Sequence, residues 1–166
     1  MRLLFCLALS TGAAMADPIT QFDWRYFSDQ VMGGVSEGQA EITNDALRLT
    51  GRVSTANNGG FIQARADTGP FSESSTGLRL QVRGDGQQYF IHLRTRATRL
   101  PWQYYQATFA STREWQEITL LWSDFTASGP LLPRLPAPES IRSVALVAYG
   151  RDHDANVSLR AFAAIP

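Results

Sequence analysis

Apolar and polar residues alternate at every second position along much of this 166-residue chain, a spacing typical of β-strands. In the segment 78–82, Leu78, Leu80 and Val82 alternate with arginine and glutamine. Gly84-Asp85-Gly86 then predicts a turn. The following strand, 89–95, places Tyr89, Ile91, Leu93 and Thr95 on one face and the side chains from Phe90 to Arg96 at even positions on the other.

The same pattern predicts further strands over 39–42, 46–53, 61–66, 104–109, 115–121, 144–149 and 157–165, and 24–27 is a short aromatic run. Three prolines in 131–138 predict a loop there. No segment of ten or more residues shows an amphipathic helical period. About nine short strands at regular spacing indicate an all-β fold, an antiparallel β-sandwich or jelly roll. Side chains on the outer face of one sheet would then be free to meet a ligand.

The first sixteen residues predict a cleavable signal peptide. Arg2 precedes the apolar run 3–9, and Ala14-Met15-Ala16 forms a small-x-small cleavage site. We therefore expect a signal peptide over 1–16, one domain over 17–166, and a periplasmic or secreted protein. The apolar run is too short to span a bilayer, and no second run approaches that length. Because Cys6 is the one cysteine, the processed chain would have no disulfide or thiol chemistry.

Composition and charge narrow the function classes further. Hydrophobic residues make up 44% and charged residues 18% of the chain, as in ordinary globular domains. The formal net charge is zero, so nothing electrostatic indicates a nucleic-acid partner.

Residues for catalysis or metal binding are few. The two histidines are His92, on a strand face, and His153, between Asp152 and Asp154. Asp152 and Asp154 could hold a divalent cation if a turn bent them inward, and the same segment could contribute to a cryptic hydrolase. We favour a solvated turn before the last strand, because neither a glycine-rich calcium loop nor a nucleophile motif accompanies it. No cofactor is expected.

Two other segments are candidate binding sites. Trp102, Tyr104 and Tyr105 lie close in sequence to His92 and Arg94, and aromatic rings with arginines are frequent anchors of interfaces. The segment 29–36 contains Asp29, Met32, Gly33, Gly34 and Ser36. Its paired glycines allow unusual backbone conformations. It predicts either a rigid loop that fixes the first strand or a ligand-binding loop.

Several ordered motifs resemble the complex I intermediate-associated protein 30 family. They are Trp24 with Ser28 to Ser36, Gly59-Gly60-Phe61, Gly77 to Gly86 followed by Tyr89 and Leu93-Arg94-Thr95, Tyr105 to Phe109, Glu114-Trp115-Gln116, Ser123-Asp124-Phe125, and Ile141 to Leu146. The resemblance spans about 22–163 and implies a galactose-binding-domain-like jelly roll. The best-known members are chaperones in the assembly of mitochondrial complex I, and the family has no established catalytic residues to transfer.

The sequence therefore predicts a non-enzymatic, exported binding domain. The resemblance favours a protein partner and an assembly or chaperone role, and the alternative is a carbohydrate-binding module that takes a glycan. Export weakens the assembly role, because complex I assembly takes place on the matrix side, which corresponds to the bacterial cytoplasm.

Overall fold

The computed structural model describes residues 16–166 and contains twelve β-strands joined by loops and short 3-10 turns. The strands are β1 (Asp17–Pro18), β2 (Arg25–Ser28), β3 (Glu37–Thr43), β4 (Ala46–Val53), β5 (Phe61–Asp67), β6 (Gly77–Gly84), β7 (Gln88–Thr95), β8 (Tyr105–Ala110), β9 (Gln116–Leu121), β10 (Thr126–Ala127), β11 (Ile141–Tyr149) and β12 (His153–Ile165). The 3-10 turns are Ile19–Gln21, Asp29–Met32, Ala56–Asn58, Trp122–Asp124 and Pro138–Ser140. Except for its last residue, the predicted signal peptide lies outside the described residues.

The strands form two six-stranded antiparallel sheets. The front sheet has the order β10-β8-β7-β11-β5-β2, and the back sheet has the order β3-β4-β12-β6-β9 with β1 on β12. Chain neighbours often lie apart: β11 pairs with β5 and β7, and β12 pairs with β4 and β6. The predicted all-β sandwich is thus confirmed.

One apolar core fills the space between the sheets. Alternate residues of every long strand face it, as the period of two requires. The front sheet contributes Ile62, Ala64, Tyr89, Ile91, Leu93, Val144 and Leu146, and the back sheet contributes Leu47, Leu49, Leu78, Leu80, Val82, Val157, Leu159 and Phe162. The polar residues that alternate with them lie on the outer faces, here called the front face and the back face.

Three strands differ from the prediction. β12 begins at His153 and not at Val157, because His153 to Asn156 pair with β4 from Val53 to Thr50. The predicted turn at 152–154 is therefore wrong; the bend comes earlier, at Gly150, whose φ is 89°. β1 and β10 have only two residues each, too few to show a periodic pattern.

The apolar run 144–149 is buried from Val144 to Ala148, and its position in the sheet explains this. β11 lies in the middle of the front sheet, and Ala145 and Val147 are only 1% exposed although they lie on the front face. Longer side chains on the two neighbouring strands cover them. No helix within residues 16–166 is long and apolar enough to cross a membrane.

Candidate functional site

The front face brings together side chains from five strands in transverse rows. Antiparallel register places Arg65, Ala145, His92 and Gln106 side by side across β5, β11, β7 and β8. The next row along the strands contains Phe27, Gln63, Val147, Phe90 and Thr108. The small residues of β11 are the floor of this face, and larger rings and polar groups stand on both sides of it.

Four rings on this face pack against one another. His92 stacks on Tyr104 with a centroid separation of 4.2 Å and an interplanar angle of 5°. Tyr149 meets His92 edge-on at 6.2 Å and Phe90 at 5.9 Å. Tyr149 is 38% exposed and Tyr104 is half-buried, so the cluster presents ring surface to solvent while its members hold one another in place. We call Phe90, His92, Tyr104 and Tyr149 the ring cluster.

His92 is a neutral group within the ring cluster. Its Nε2 lies 2.8 Å from Oε1 of Gln106, which suits an Nε2–H donor and an amide acceptor. Burial lowers the pKa of His92 to about 4, and the hydrogen bond to Gln106 opposes this only in part. Burial and the neighbouring Tyr149 hydroxyl raise the pKa of Tyr104 to about 12. Both rings are therefore uncharged at neutral pH.

Arginines form one side of the front face. The guanidinium of Arg65 lies 4.5 Å from the centroid of the Phe27 ring, a cation–π contact. Arg94 donates from Nη2 to the carbonyl oxygens of Thr98 and Leu100, which fixes the loop after β7. Burial lowers the pKa of Arg94, and the nearby charges of Arg65 and Arg142 lower it further. The face thus carries a concentration of positive charge next to its rings.

The structure places Trp102, Tyr104 and Tyr105, which were predicted to form one aromatic group, in three different environments. Tyr104 joins the ring cluster, whereas Tyr105 is 1% exposed, because it points into the core and donates its hydroxyl to the Pro133 carbonyl at 2.9 Å. The expectation that Tyr105 belongs to an exposed surface is wrong, and the reason is strand alternation. Trp102 is 67% exposed on the loop between β7 and β8.

Trp102 and the segment 29–36 lie at opposite ends of the front sheet. The loop that carries Trp102 begins after the end of β7. Because Thr95 at that end pairs with Ile141, the loop lies beside the start of β11. The segment 29–36 follows β2 near Phe61, which pairs with Tyr149 at the end of β11. Nine residues of β11 separate the two ends by about 25 Å. The predicted binding residues therefore do not form one surface.

Asp29 and Ser36 are fully buried, and they form hydrogen bonds with each other. Asp29 accepts hydrogen bonds from Ser36 N at 2.9 Å, Ser36 Oγ at 2.6 Å, Gly60 N at 2.5 Å and Phe61 N at 3.4 Å. Burial raises the pKa of Asp29, but hydrogen bonds from the Ser36 hydroxyl and these backbone N–H groups outweigh it and hold the pKa below its usual range. The motif thus encloses a buried anion that the chain itself satisfies.

The glycines of the motif leave room for that carboxylate. A Cβ on Gly34 or on Gly59 would collide with the Asp29 side chain. Gly33, with a φ of 89°, ends the 3-10 turn and donates its N–H to the Gln30 carbonyl. Met32, the last residue of the 3-10 turn, is 63% exposed.

The two candidate cation ligands, Asp152 and Asp154, have other partners in the structure. Asp152 accepts hydrogen bonds from Thr55 N at 2.7 Å and Thr55 Oγ1 at 2.8 Å, and Asp154 lies 3.8 Å from Arg52. Among residues 16–166, no three His, Cys, Asp or Glu side chains come together as a metal site.

Sequence reasoning did not single out Gln63, Arg65, Gln106 or Tyr149 as members of a site. Gln63 and Arg65 alternate with Ile62 and Ala64, so the face they share could be found from the pattern. Their position beside His92 depends on the pairing of β11 with both β5 and β7, which the pattern does not contain.

Comparisons with known proteins agree with this geometry. The model of the Complex I intermediate-associated protein 30 family matches residues 14–159. The chain belongs to that family. Its sequence has no significant match among curated proteins.

Solved structures with the same fold include carbohydrate-binding modules and parts of larger enzymes. The family 11 carbohydrate-binding module of the cellulosomal cellulase Lic26A-Cel5E of Clostridium thermocellum superposes with a TM-score of 0.70 at 11% identity, covering 86% of each chain. The Clostridium thermocellum family 11 module in complex with a β-1,3-1,4-mixed-linked tetrasaccharide gives 0.62 at 13% identity, covering 86% of this chain and 88% of that one. The agarase AgWH50C gives 0.58 at 10% identity, with 86% of this chain on 22% of the agarase. These similarities establish a shared jelly-roll fold.

The hydrogen bonds to Asp29 predict a pH-dependent contribution to stability. Because the pKa of Asp29 is lower in the folded state, its contribution is fully present above about pH 4 and is lost as the pH falls through the folded-state pKa. Asp29→Asn should lower the free energy of unfolding by about 2–4 kcal/mol at pH 7. Urea denaturation at pH 7, 5 and 3 should show the deficit shrinking at pH 3.

The exposed turn residue Asp45 provides the control, since Asp45→Asn should change stability by less than about 0.5 kcal/mol. An Asp29→Asn variant as stable as the unmutated protein, or a deficit equal at pH 7 and pH 3, would contradict the assignment.

The environment of His92 predicts an imidazole that stays neutral in mildly acidic solution. An NMR pH titration of the ring signals, assigned with a His92→Gln variant, should show no protonation of His92 above about pH 5, since its pKa is lowered to about 4. A midpoint near the ordinary value of about 6.5 would mean that the ring is not packed as described.

Proposed function

We propose that this protein is a non-catalytic binding domain of the cell envelope and that its front face binds glycan chains. The observation that carries the proposal is the ring cluster, in which Tyr104 and Tyr149 present partly exposed ring surface beside hydrogen-bonding side chains. Aromatic rings provide flat apolar surfaces on which the C–H faces of sugar rings can stack.

The polar neighbours of the ring cluster suit sugar hydroxyl groups. Gln63 and Gln106 offer amide donors and acceptors, and Arg65 offers charged donors. All three are half-buried, so their side chains are restrained and lose little freedom when a ligand binds.

The fold supports the glycan proposal by analogy. One structure of this fold was solved in complex with a mixed-linked tetrasaccharide, and the chain aligns along nearly the whole of that module. Because fold similarity at this identity does not transfer function, the ring cluster of this chain remains the primary argument.

The predicted signal peptide supports a place in the periplasm or outside the cell. Envelope and extracellular polysaccharides would be accessible to a domain exported in this way. The same location argues against the assembly role expected from the family resemblance, because complex I assembly takes place on the opposite side of the membrane.

Replacing the exposed rings tests the proposal. The purified protein should bind at least one oligosaccharide on a glycan array, with the β-1,3-1,4-mixed-linked tetrasaccharide and agaro-oligosaccharides included as probes. Calorimetry with the strongest ligand should show that Tyr149→Ala and Tyr104→Ala each weaken binding at least about fivefold, the loss of one stacking contact. Leu121→Ala, on an exposed residue of the back sheet, should bind normally. A silent array would contradict the proposal, as would full affinity in both tyrosine variants.

A protein partner is the second candidate, and a different surface favours it. Val31, Met32 and Val35 are 75%, 63% and 49% exposed on one loop. The Asp29 hydrogen bonds hold this loop in a fixed shape. Exposed apolar groups on a rigid loop are typical of a surface that a protein partner covers.

This second function predicts a partner that depends on the loop. Cross-linking in envelope extract should capture a protein with the unmutated chain and lose it with the double variant Val31→Ser, Met32→Ser. Leu131→Ser, at an equally exposed leucine elsewhere, should retain it. Capture that does not change in the double variant would exclude this loop as the docking surface.

A further inference from the structure

The back face contains a cavity that the proposed glycan site does not use. Its volume is about 360 Å³, and it is lined by Arg48, Arg83 and Arg113 together with Asn156 and Ser158. It opens on the side of the sandwich opposite to the ring cluster, because these strand residues belong to the back sheet. It therefore needs a separate explanation.

Strand register places two of the arginines on either side of a small residue. Ser158 of β12 pairs with Arg48 of β4 on one side and with Arg83 of β6 on the other. Directly paired residues point to the same face, and neighbouring strands lie about 4.8 Å apart. Two long cationic side chains thus flank a serine that is 5% exposed and cannot fill the space between them.

The third arginine is held at the cavity by the turn before β9. Gly84 N donates to the Thr112 carbonyl at 2.7 Å, which fastens this turn to the end of β6. Gly84 also allows the close approach, since a Cβ there would lie 2.5 Å from Ser111 Oγ. Arg113 is the next residue after this anchor and lines the cavity.

Within residues 16–166, neighbouring arginines of this face form ion pairs and these three do not, although Glu41 of β3 lies directly opposite Arg48 in the strand register. On the same face, Arg52 lies 3.8 Å from Asp154 and Arg79 lies 3.4 Å from Glu117. Within residues 16–166, Arg48, Arg83 and Arg113 form no ion pair. Like charges gathered around one space repel each other, and an anion in that space would relieve the repulsion.

Two of the side chains are already held in position. Arg48 Nε donates to Asn156 Oδ1 at 3.3 Å, and the Arg83 guanidinium lies 4.8 Å from the centroid of the Trp115 ring. Restrained guanidinium groups lose less freedom when they bind a ligand. Their remaining N–H groups make no hydrogen bond with residues 16–166, so they are available to an acceptor.

From this geometry we infer that the back-face cavity is a binding site for a phosphate or sulfate group. Guanidinium forks match the oxygens of such tetrahedral oxyanions, and Ser158 and Asn156 add neutral polar groups beside them. The cavity is large enough to hold an organic group attached to the oxyanion as well as the oxyanion itself. The oxyanion could be a free ion or the phosphate or sulfate ester of a small molecule, since both present the same oxygens to the arginines.

NMR titration of the ¹⁵N-labelled protein tests this site. Inorganic sulfate, inorganic phosphate and glucose 6-phosphate are added separately in low-salt buffer, with sodium chloride at matched ionic strength as the reference. At least one oxyanion should shift the amide signals around Ser158 and Gly84 in a saturable way. Tighter binding of glucose 6-phosphate than of phosphate would identify an ester as the ligand, and equal binding would identify the free ion.

Variants separate a site from general charge attraction. Arg48→Ala and Arg83→Ala should each weaken binding at least about tenfold, the loss of a charge-assisted hydrogen bond. Arg113→Ala provides the same test on a turn residue, should Arg83→Ala impair folding through its Trp115 contact. Arg79→Ala, on the same strand and face as Arg83 but paired with Glu117, should bind like the unmutated protein. Shifts no larger than those with chloride, or equal weakening in Arg79→Ala, would overturn the inference.

Discussion

The connection between the two sheets depends on the buried carboxylate of Asp29, which accepts hydrogen bonds from segments next to strands of both sheets. Asp29 lies at the end of β2, the edge strand of the front sheet, and binds backbone groups at the start of β5 in that sheet. Its bonds to Ser36 fix the chain just before β3 of the back sheet. Ser36 Oγ in turn accepts from Ser54 N at 2.9 Å, directly after β4.

An unpaired buried carboxylate would be strongly destabilising, so these hydrogen bonds are obligatory. Gly34 and Gly59 are glycines because any larger residue would occupy the space of the Asp29 side chain. The most distinctive motif of the sequence is thereby explained as a structural device. Its contribution to function is indirect, since it holds the exposed Val31 and Met32 in a defined position.

The inner faces of both sheets are buried in the core, so only the two outer faces can bind a ligand. These two faces differ in chemistry. The front face combines packed rings with amides and arginines over the small residues of β11. The back face has a cavity lined by arginines that form no ion pair in the described residues. A sandwich with two chemically distinct faces can bind two ligands independently, for example a glycan chain and an anionic group.

Strand alternation made most of the fold predictable from the sequence, because a period of two survives in nearly every long strand. It also predicted which residues of β7 face outward, including His92 and Arg94. Tyr105 was assigned to the wrong face because the expected cluster was defined by closeness in sequence, whereas adjacent residues of a strand point to opposite sides. Tyr149 and Arg65 could not be placed beside His92, because this depends on β11 pairing with β5 and with β7. Ala145 of β11 lies 80 residues after its partner Arg65 and 53 residues after its partner His92, and pairing over such separations is decided by the packing of the whole sheet.

The central claim is that the front face is the glycan-binding surface. The most direct measurement is a chemical-shift map of the ¹⁵N-labelled protein saturated with the strongest oligosaccharide ligand. The largest shifts are expected in β7, β8 and β11, at and next to His92, Tyr104 and Tyr149, with little change around Ser158. Shifts concentrated on the segment 29–36 or on the back sheet would contradict it.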